Sequence, residues 1–293
     1  MDAGRRRFLL AGAGAAGALA VGGGLVAADV LPGGRRLRDL LGDDGPDTPI
    51  PDRAPGPRAE GSFRSDRRGG RDTRWIVSYP PGSSADADLP VVVVLHGKGG
   101  DADSAFDDLG LDRFLADETA AGMAPIAVAS VDGGDTYWHP RQDGSDSGAM
   151  VTDELLPLLA VRGLRTDRLG LLGWSMGGYG SLRLAADRPA EVAAVATSSA
   201  AIWRRWEDSS PGAFDDAEDF ARHDLFAAVD RLDDVPIRMA CGTNDPFIGG
   251  NRALADQLTG AATSFGAGDH RPGYWRTQVP AHLRFLAAQI TAT

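Results

Sequence analysis

A serine between two glycines is the residue best placed to act as a nucleophile: the segment GWSMG occupies residues 173–177, with Ser175 at its centre. An apolar run that predicts a strand precedes the segment, and a helical pattern follows it. The pattern G-x-S-x-G at a strand-to-helix turn is typical of a nucleophile elbow, where a strained backbone leaves the hydroxyl exposed. Because the chain has 39 glycines, these letters could match by chance. The flanking strand and helix nevertheless favour Ser175 as the nucleophile.

A hydroxyl nucleophile needs a general base, which in this kind of site is a histidine that follows the serine and the acid along the chain. Histidines that precede Ser175 or lie in helical stretches do not meet this requirement: His96, His139, His223 and His282. His270 lies in the segment 266–270, between the last short strand and the last helix. The order of elements therefore predicts His270 as the base.

The acid that orients the base is expected at the end of the penultimate strand. The apolar run 237–241 predicts that strand, and Asp245 follows it in a turn. Pro246, which lacks a backbone N–H, prevents the chain from continuing the strand pairing. Other acids lie near the base or in stretches where they cap helices or face solvent: Asp230, Asp233, Asp234 and Asp269. We therefore predict Asp245 as the acid.

A glycine-rich loop follows the run VVVVL at residues 91–95 and reads HGKGG at residues 96–100. Its glycines would let the backbone approach a substrate carbonyl. The backbone N–H groups of Lys98 and Met176 are the predicted donors to an oxyanion. A plain glycine-rich turn is the alternative, and a phosphate cradle is disfavoured because G-x-x-x-x-G-K-[ST] is absent.

Several aromatic residues follow predicted strand ends, where an acyl or aryl pocket could form. We predict substrate contacts from Tyr137, Trp138, Trp174, Trp203 and Trp275, with Trp206 and Tyr274 in the same loops. Ordinary packing is the alternative for residues of this size.

The elements that must position these residues alternate between strand and helix. Unbroken apolar runs predict strands buried on both faces at residues 91–95, 126–131, 169–172, 192–196 and 237–241, after an early strand at 73–79. Helical patterns occupy residues 111–121, 149–159, 176–186, 252–258 and 279–290. This alternation predicts an α/β fold, with a doubly wound, mostly parallel sheet flanked by helices. Chemistry in such folds lies at the carboxyl ends of the strands.

The motifs together resemble those of the esterase D and mycolyltransferase group of α/β-hydrolases. The resemblance covers most of residues 61–293 and is carried by the segments 173–180, 137–138, 152–157, 268–270 and 274–275. It implies the α/β-hydrolase fold and carboxylic-ester hydrolysis or acyl transfer without a cofactor or a metal. At the positions that match the family's motifs, the resemblance implies that Ser175 is the nucleophile, Asp245 the acid and His270 the base.

Two departures keep other activities open. Trp174 before the serine is commoner in oligopeptidase-like relatives, and the loop sequence HGK fits hydrolases generally rather than mycolyltransferases. The leading hypothesis is a serine esterase that cleaves small-molecule or lipid esters through an acyl-enzyme on Ser175. The alternatives are an acyltransferase to a sugar or lipid alcohol, a serine peptidase, and a non-catalytic binding protein on a hydrolase scaffold.

Composition excludes several other classes. The chain has 293 residues and a net charge of −11, and such an acidic surface repels nucleic-acid phosphates. Its single cysteine, Cys241, can form neither an intrachain disulfide nor a thiolate zinc site.

The first 60 residues differ in composition from the rest. Residues 1–28 combine RRRFLL with an uncharged run from residue 8 to residue 28, which resembles a twin-arginine export signal. An uncleaved membrane anchor is the alternative, because 21 residues of helix reach about 30 Å. Residues 29–60, with 6 Pro and 5 Gly, predict a linker, and residues 61–293 the catalytic domain. We therefore expect export through the twin-arginine machinery to a secreted or outer-side anchored location.

Overall fold

Eight strands form one mixed sheet in the computed structural model, which describes residues 45, 47–83 and 87–291. The predicted signal at 1–28 lies outside the described residues. The strands are β1 (Arg58–Ser65), β2 (Arg71–Ser78), β3 (Pro90–Leu95), β4 (Ala127–Val131), β5 (Arg165–Trp174), β6 (Val192–Ser198), β7 (Ile237–Gly242) and β8 (Ala262–Gly266). Their order is β1-β2-β4-β3-β5-β6-β7-β8, with β1, β2 and β4 paired antiparallel and the rest parallel.

Helices cover both faces of this sheet. They are α1 (Ser104–Asp107), α2 (Leu111–Ala120), α3 (Ser147–Met150), α4 (Leu156–Val161), α5 (Met176–Asp187), α6 (Ala217–Arg222), α7 (Ile248–Ala255) and α8 (Pro272–Thr291). A π-helical turn, Val151–Leu155, joins α3 to α4, so one predicted helix at 149–159 is three short segments. The last helix begins at Pro272, seven residues before the predicted start.

Strand β3 shows how the two layers form. Val91 and Val93 pack with residues of α3, α4 and α5, whereas Val92 and Val94 pack with residues of α2 and α8. All four side chains are completely buried. Successive residues of a strand point to opposite faces, so an unbroken valine run requires apolar cover on both sides. The predicted doubly wound α/β fold is confirmed.

The beginning of the domain differs from the predicted boundary at residue 61. Strand β1 already starts at Arg58, and the preceding segment contacts the domain. Arg276 on α8 donates to the Thr48 carbonyl at 2.7 Å and to Asp47 at 2.8 Å, while Arg53 pairs with Asp117. The proline-rich composition disfavours helix, but it does not prevent an extended segment from packing and pairing. Residues 47–60 therefore belong with the domain rather than with a linker.

One further fact bears on the membrane hypothesis. Among residues 47–83 and 87–291, no helix combines the length and the apolar character needed to cross a bilayer.

Candidate active site

Ser175 lies at the turn between the last residue of β5 and the first residue of α5. Its backbone has φ 53° and ψ −120°, a strained conformation for a residue with a side chain. The turn is held by its own N–H, which donates to the Ser198 carbonyl at 3.0 Å, and by its carbonyl, which accepts from Ala201 at 2.9 Å. The predicted strand-to-helix setting of Ser175 is therefore present.

The two glycines of the motif are required by close approach. A Cβ on Gly173 would lie 2.1 Å from the Gly177 carbonyl oxygen, and a Cβ on Gly177 would lie 1.8 Å from the Leu95 carbonyl oxygen. Both distances are far inside van der Waals contact. Only glycine at these positions lets α5 start directly against the end of β3.

The structure brings the predicted base and acid to this serine. His270 Nε2 lies 2.9 Å from Ser175 Oγ, and His270 Nδ1 lies 2.9 Å from an oxygen of Asp245. A carboxylate only accepts, so Nδ1 carries the proton and Nε2 is the free base facing the hydroxyl. The other Asp245 oxygen accepts from the Phe247 N–H at 2.8 Å, and the Asp245 side chain is fully buried.

Two aromatic rings hold the imidazole of His270 between them. The centroids of Phe247 and Trp275 lie 5.2 and 5.1 Å from that of His270, with the Trp275 ring nearly perpendicular at 89°. The Trp275 indole N–H donates to Ser199 Oγ at 2.9 Å. Ser199 is completely buried and has φ 52°, the second strained serine beside the site. Sequence reasoning missed Ser199 and Phe247, since neither belongs to a recognisable motif.

Hydrogen bonds within the loop and to residues 133–135 hold the loop that follows β3. The Gly99 N–H donates to Asp135 at 2.6 Å, and His96 donates from Nδ1 to the Gly97 carbonyl at 2.8 Å while its Nε2 accepts from Gly133 at 3.0 Å. Burial lowers the pKa of His96, so its ring is neutral. Asp135 lies 36 residues from Gly99 along the chain, and no sequence motif links the two residues, so this contact could not be predicted from the sequence.

The predicted oxyanion donors both lie at this loop and at the start of α5. Within the described part of the chain, the N–H groups of Lys98 and Met176 donate to no protein acceptor. They are therefore free to bind an oxygen that develops negative charge.

A cleft of about 310 Å³ opens beside Ser175. Its lining is Gly97, Lys98, Gly99, Gly100, Ser104, Asp108, Trp174, Ser175, His270, Pro272 and Trp275. Of the predicted substrate contacts, Trp174 and Trp275 are therefore placed at the cleft. Trp203 is half-buried outside this lining, and its ring contacts Phe247 at 5.4 Å.

The structure does not place Tyr137 and Trp138 at this cleft; both are core residues, 3% and 2% exposed. Positive φ values of 57° and 60° turn this dipeptide inward. The Trp138 indole lies against Gly133 and Gly180, where an added Cβ would come within 2.2 and 2.5 Å of the ring. Large apolar rings are stabilised by burial, and these two pack under the site rather than into it.

A group of possible metal ligands lies away from the serine. Among the described residues, ligand atoms of His139, Asp219 and His223 lie within 4.8 Å of one another. The two imidazoles stack at 4.4 Å with 29° between their planes, and both His139 nitrogens face carbonyl oxygens at 3.0 Å. Ring lone pairs lie in the ring planes, so nearly parallel stacked rings do not direct them at one ion. We therefore assign no metal to this group.

The chain is similar to several known proteins. The family described as "Putative esterase" matches residues 67–286. "Putative esterase NocK" of Nocardia uniformis subsp. tsuyamanensis is 32% identical over 139 residues, which are 44% of this chain and 38% of that protein. The match thus spans well under half the length of this curated relative.

Solved structures of low identity share the fold. A ferulic acid esterase superposes with a TM-score of 0.68 at 17% identity over 81% of this chain and 99% of that one. FphF, a fluorophosphonate-binding serine hydrolase of Staphylococcus aureus, superposes with a TM-score of 0.66 at 17% identity over 80% and 99%.

The sheet, the covering helices and the serine turn define the α/β-hydrolase fold. Within that class the chain belongs to the esterase family, since the family match covers most of its length. The resemblance to an esterase-type α/β-hydrolase is confirmed at this level.

Proposed function

We propose that the chain is a serine esterase in which Ser175 forms an acyl-enzyme. The continuous relay from Ser175 through His270 to Asp245, with both hydrogen bonds at 2.9 Å, carries this proposal. Ser175 Oγ attacks the ester carbonyl while its proton passes to His270 Nε2. Asp245 keeps the proton on Nδ1 and stabilises the imidazolium that forms.

We expect the negative charge of the tetrahedral intermediate to be bound by two N–H groups that donate to no acceptor in the described part of the chain. Lys98 and Met176 donate to this oxyanion, and each such donor contributes roughly 10²–10³ in rate. The imidazolium then returns its proton to the departing alcohol, and the C–O bond of the ester breaks. In the second half, water attacks the acyl-enzyme and gives a proton to His270, which passes it to Ser175 Oγ as the bond from that oxygen to the acyl carbon breaks and the acid leaves.

A fluorophosphonate probe tests the nucleophile directly. We expect the wild type to be labelled and to hydrolyse 4-nitrophenyl acetate, and Ser175→Ala to lose labelling and about 10⁴-fold or more of kcat. Ser62→Ala, on the exposed edge strand β1, is the matched control and keeps both. Labelling of Ser175→Ala would contradict the assignment. Added alcohols in the same assay report acyl transfer, and failure of the wild type to label indicates a non-catalytic role.

We propose that residues 1–28 direct export by the twin-arginine route, to a secreted or outer-side location. The support is the order of a basic segment, RRRFLL, and a 21-residue uncharged run. In a host with this machinery, Arg5→Lys/Arg6→Lys is expected to hold the protein in the cytoplasm, whereas Arg35→Lys/Arg36→Lys leaves export intact. Cell fractionation measures the location, and N-terminal sequencing of exported protein separates a cleaved signal from an anchor. Equal export of both variants would contradict the proposal.

A further inference from the structure

The glycine-rich loop after β3 contains Lys98, the only lysine of the whole sequence. Lysine and arginine together number 30, and every one except Lys98 is arginine. Lys98 lines the cleft with Ser175 and His270. Its backbone N–H is the proposed oxyanion donor, so its four-carbon side chain starts next to the scissile carbonyl of a bound ester.

The ammonium of Lys98 has no acidic partner. Among the described residues it forms no ion pair, and its hydrogen bond goes to the neutral Pro211 carbonyl at 3.2 Å. The nearby carboxylates are engaged elsewhere: Asp101 accepts from Ser104, Asp103 pairs with Arg74, and Asp135 accepts from Gly99. In a chain with a net charge of −11, an unpaired cation at the cleft is conspicuous.

An exposed hydrogen bond from an ammonium to a neutral carbonyl is easily exchanged. An anionic acceptor adds the attraction between opposite charges to the hydrogen bond that the ammonium already makes with a neutral carbonyl. A flexible ammonium with three donors can also turn towards a ligand without disturbing the backbone that carries it. An anionic group in the cleft would therefore displace the Pro211 carbonyl as the partner of Lys98.

The cleft also contains one carboxyl group, that of Asp108. Burial raises the pKa of Asp108, as do the charges of Asp107 and Asp101. The guanidinium of Arg276, which donates to the Asp108 backbone carbonyl at 3.0 Å, brings a positive charge close to this carboxyl and lowers its pKa.

We propose that Lys98 binds an anionic substituent of the substrate ester, so that the enzyme favours acidic esters over neutral esters of the same size. This inference rests on the proposed esterase function of the same site. A carboxylate is the simplest such group, and it lies either in the acyl part or in the alcohol part of the ester.

Two matched ester pairs test the proposal. The acyl-side pair is mono-4-nitrophenyl glutarate and 4-nitrophenyl pentanoate, and the alcohol-side pair is 3-acetoxybenzoate and 3-acetoxybenzamide. The measured quantity is the ratio of kcat/KM for the acidic ester to that for its neutral partner. Because both esters use the same oxyanion donors, a general loss of activity in a Lys98 variant cancels from this ratio.

We expect Lys98→Met to lower the ratio about tenfold in one of the two pairs, and Lys98→Arg to keep most of it. Arg168→Met is the control, because it removes the same charge from an exposed position near the start of β5, at the end of that strand away from Ser175. Its ratios should equal those of the wild type. The pair that responds to Lys98→Met shows whether the anion belongs to the acyl or to the alcohol part.

Equal ratios in the wild type and Lys98→Met for both pairs would overturn the proposal. A fall of similar size in Arg168→Met would also overturn it, because net charge rather than Lys98 would then set the preference. If the wild type neither hydrolyses any of the four esters nor reacts with the fluorophosphonate probe, the esterase function itself has failed. Labelling of Lys98→Met by that probe shows that the variant is folded.

Discussion

At the scale of single residues, the position of His270 depends on a contact outside the relay. Trp275 packs edge-on against the imidazole and is itself held by a hydrogen bond to Ser199. Ser199 keeps a positive φ although it carries a side chain, and such strain is retained only where surrounding contacts enforce it. We therefore expect Ser199 and Trp275 to act as positioning residues for His270, the proposed base.

A double-mutant cycle tests this pair. We expect Ser199→Ala to lower kcat about fivefold with little change in KM, since one hydrogen bond is worth about 1 kcal/mol. Trp275→Phe, which removes the donor, should lower kcat as well. The double variant should be little worse than the worse single variant, because both changes remove the same hydrogen bond. Additive losses, or an unchanged kcat in Ser199→Ala, would show that the pair does not act through His270.

At the scale of an element, helix α7 places two adjacent glycines in opposite environments. Gly249 is exposed, and an added Cβ would have no neighbour within 4 Å. A Cβ on Gly250 would lie 2.2 Å from the Ile202 carbonyl oxygen. Ile202 lies in the loop after β6, next to Ser175. Gly250 therefore determines how closely α7 packs against this loop.

The two alanine variants should change stability in opposite directions. Gly249→Ala is expected to raise the free energy of unfolding by about 0.5–1 kcal/mol, because alanine loses less conformational freedom in a helix. Gly250→Ala should lower it by about 1–3 kcal/mol through overpacking against backbone. Urea denaturation with equal m-values measures both. Two changes of the same sign would contradict this packing.

At the scale of the whole molecule, two buried histidines make stability depend on pH. Burial, together with the charge of His223, lowers the pKa of His139 to about 4. Burial and Arg238 lower the pKa of His282 to about 3. Their ordinary value is 6.5, so below that pH the unfolded chain binds protons that the folded chain does not.

The free energy of unfolding should therefore be highest above pH 6.5 and should fall as the pH drops towards 5. The slope is up to about 1.4 kcal/mol per pH unit for each histidine. Burial raises the pKa values of Asp146 and Asp224, which opposes this loss nearer to pH 4. Urea denaturation between pH 7.5 and 5 measures the slope, and His282→Leu should reduce it. A pH-independent stability in this range would contradict the neutral buried state of both histidines.

Much of the fold follows from local pattern. The unbroken valine run of β3 can only be stable with cover on both faces, and the sheet has that cover. The positions of Ser175, Asp245 and His270 after successive strands follow from the order of elements, because parallel strands end at one edge. Whether these three side chains touch depends on the distances between them, and only the structure gives those distances.

The amino-acid sequence by itself determined the class of fold, the serine turn and the order of the three polar residues, because these depend on periodicity and on glycines at short spacing. Only the tertiary structure decided the rest. It turned Tyr137 and Trp138 into the core, joined Ser199 to Trp275, and brought residues 47–60 onto the domain. These outcomes depend on contacts between residues far apart in the chain, where packing and backbone direction, which leave no local pattern, set the partner.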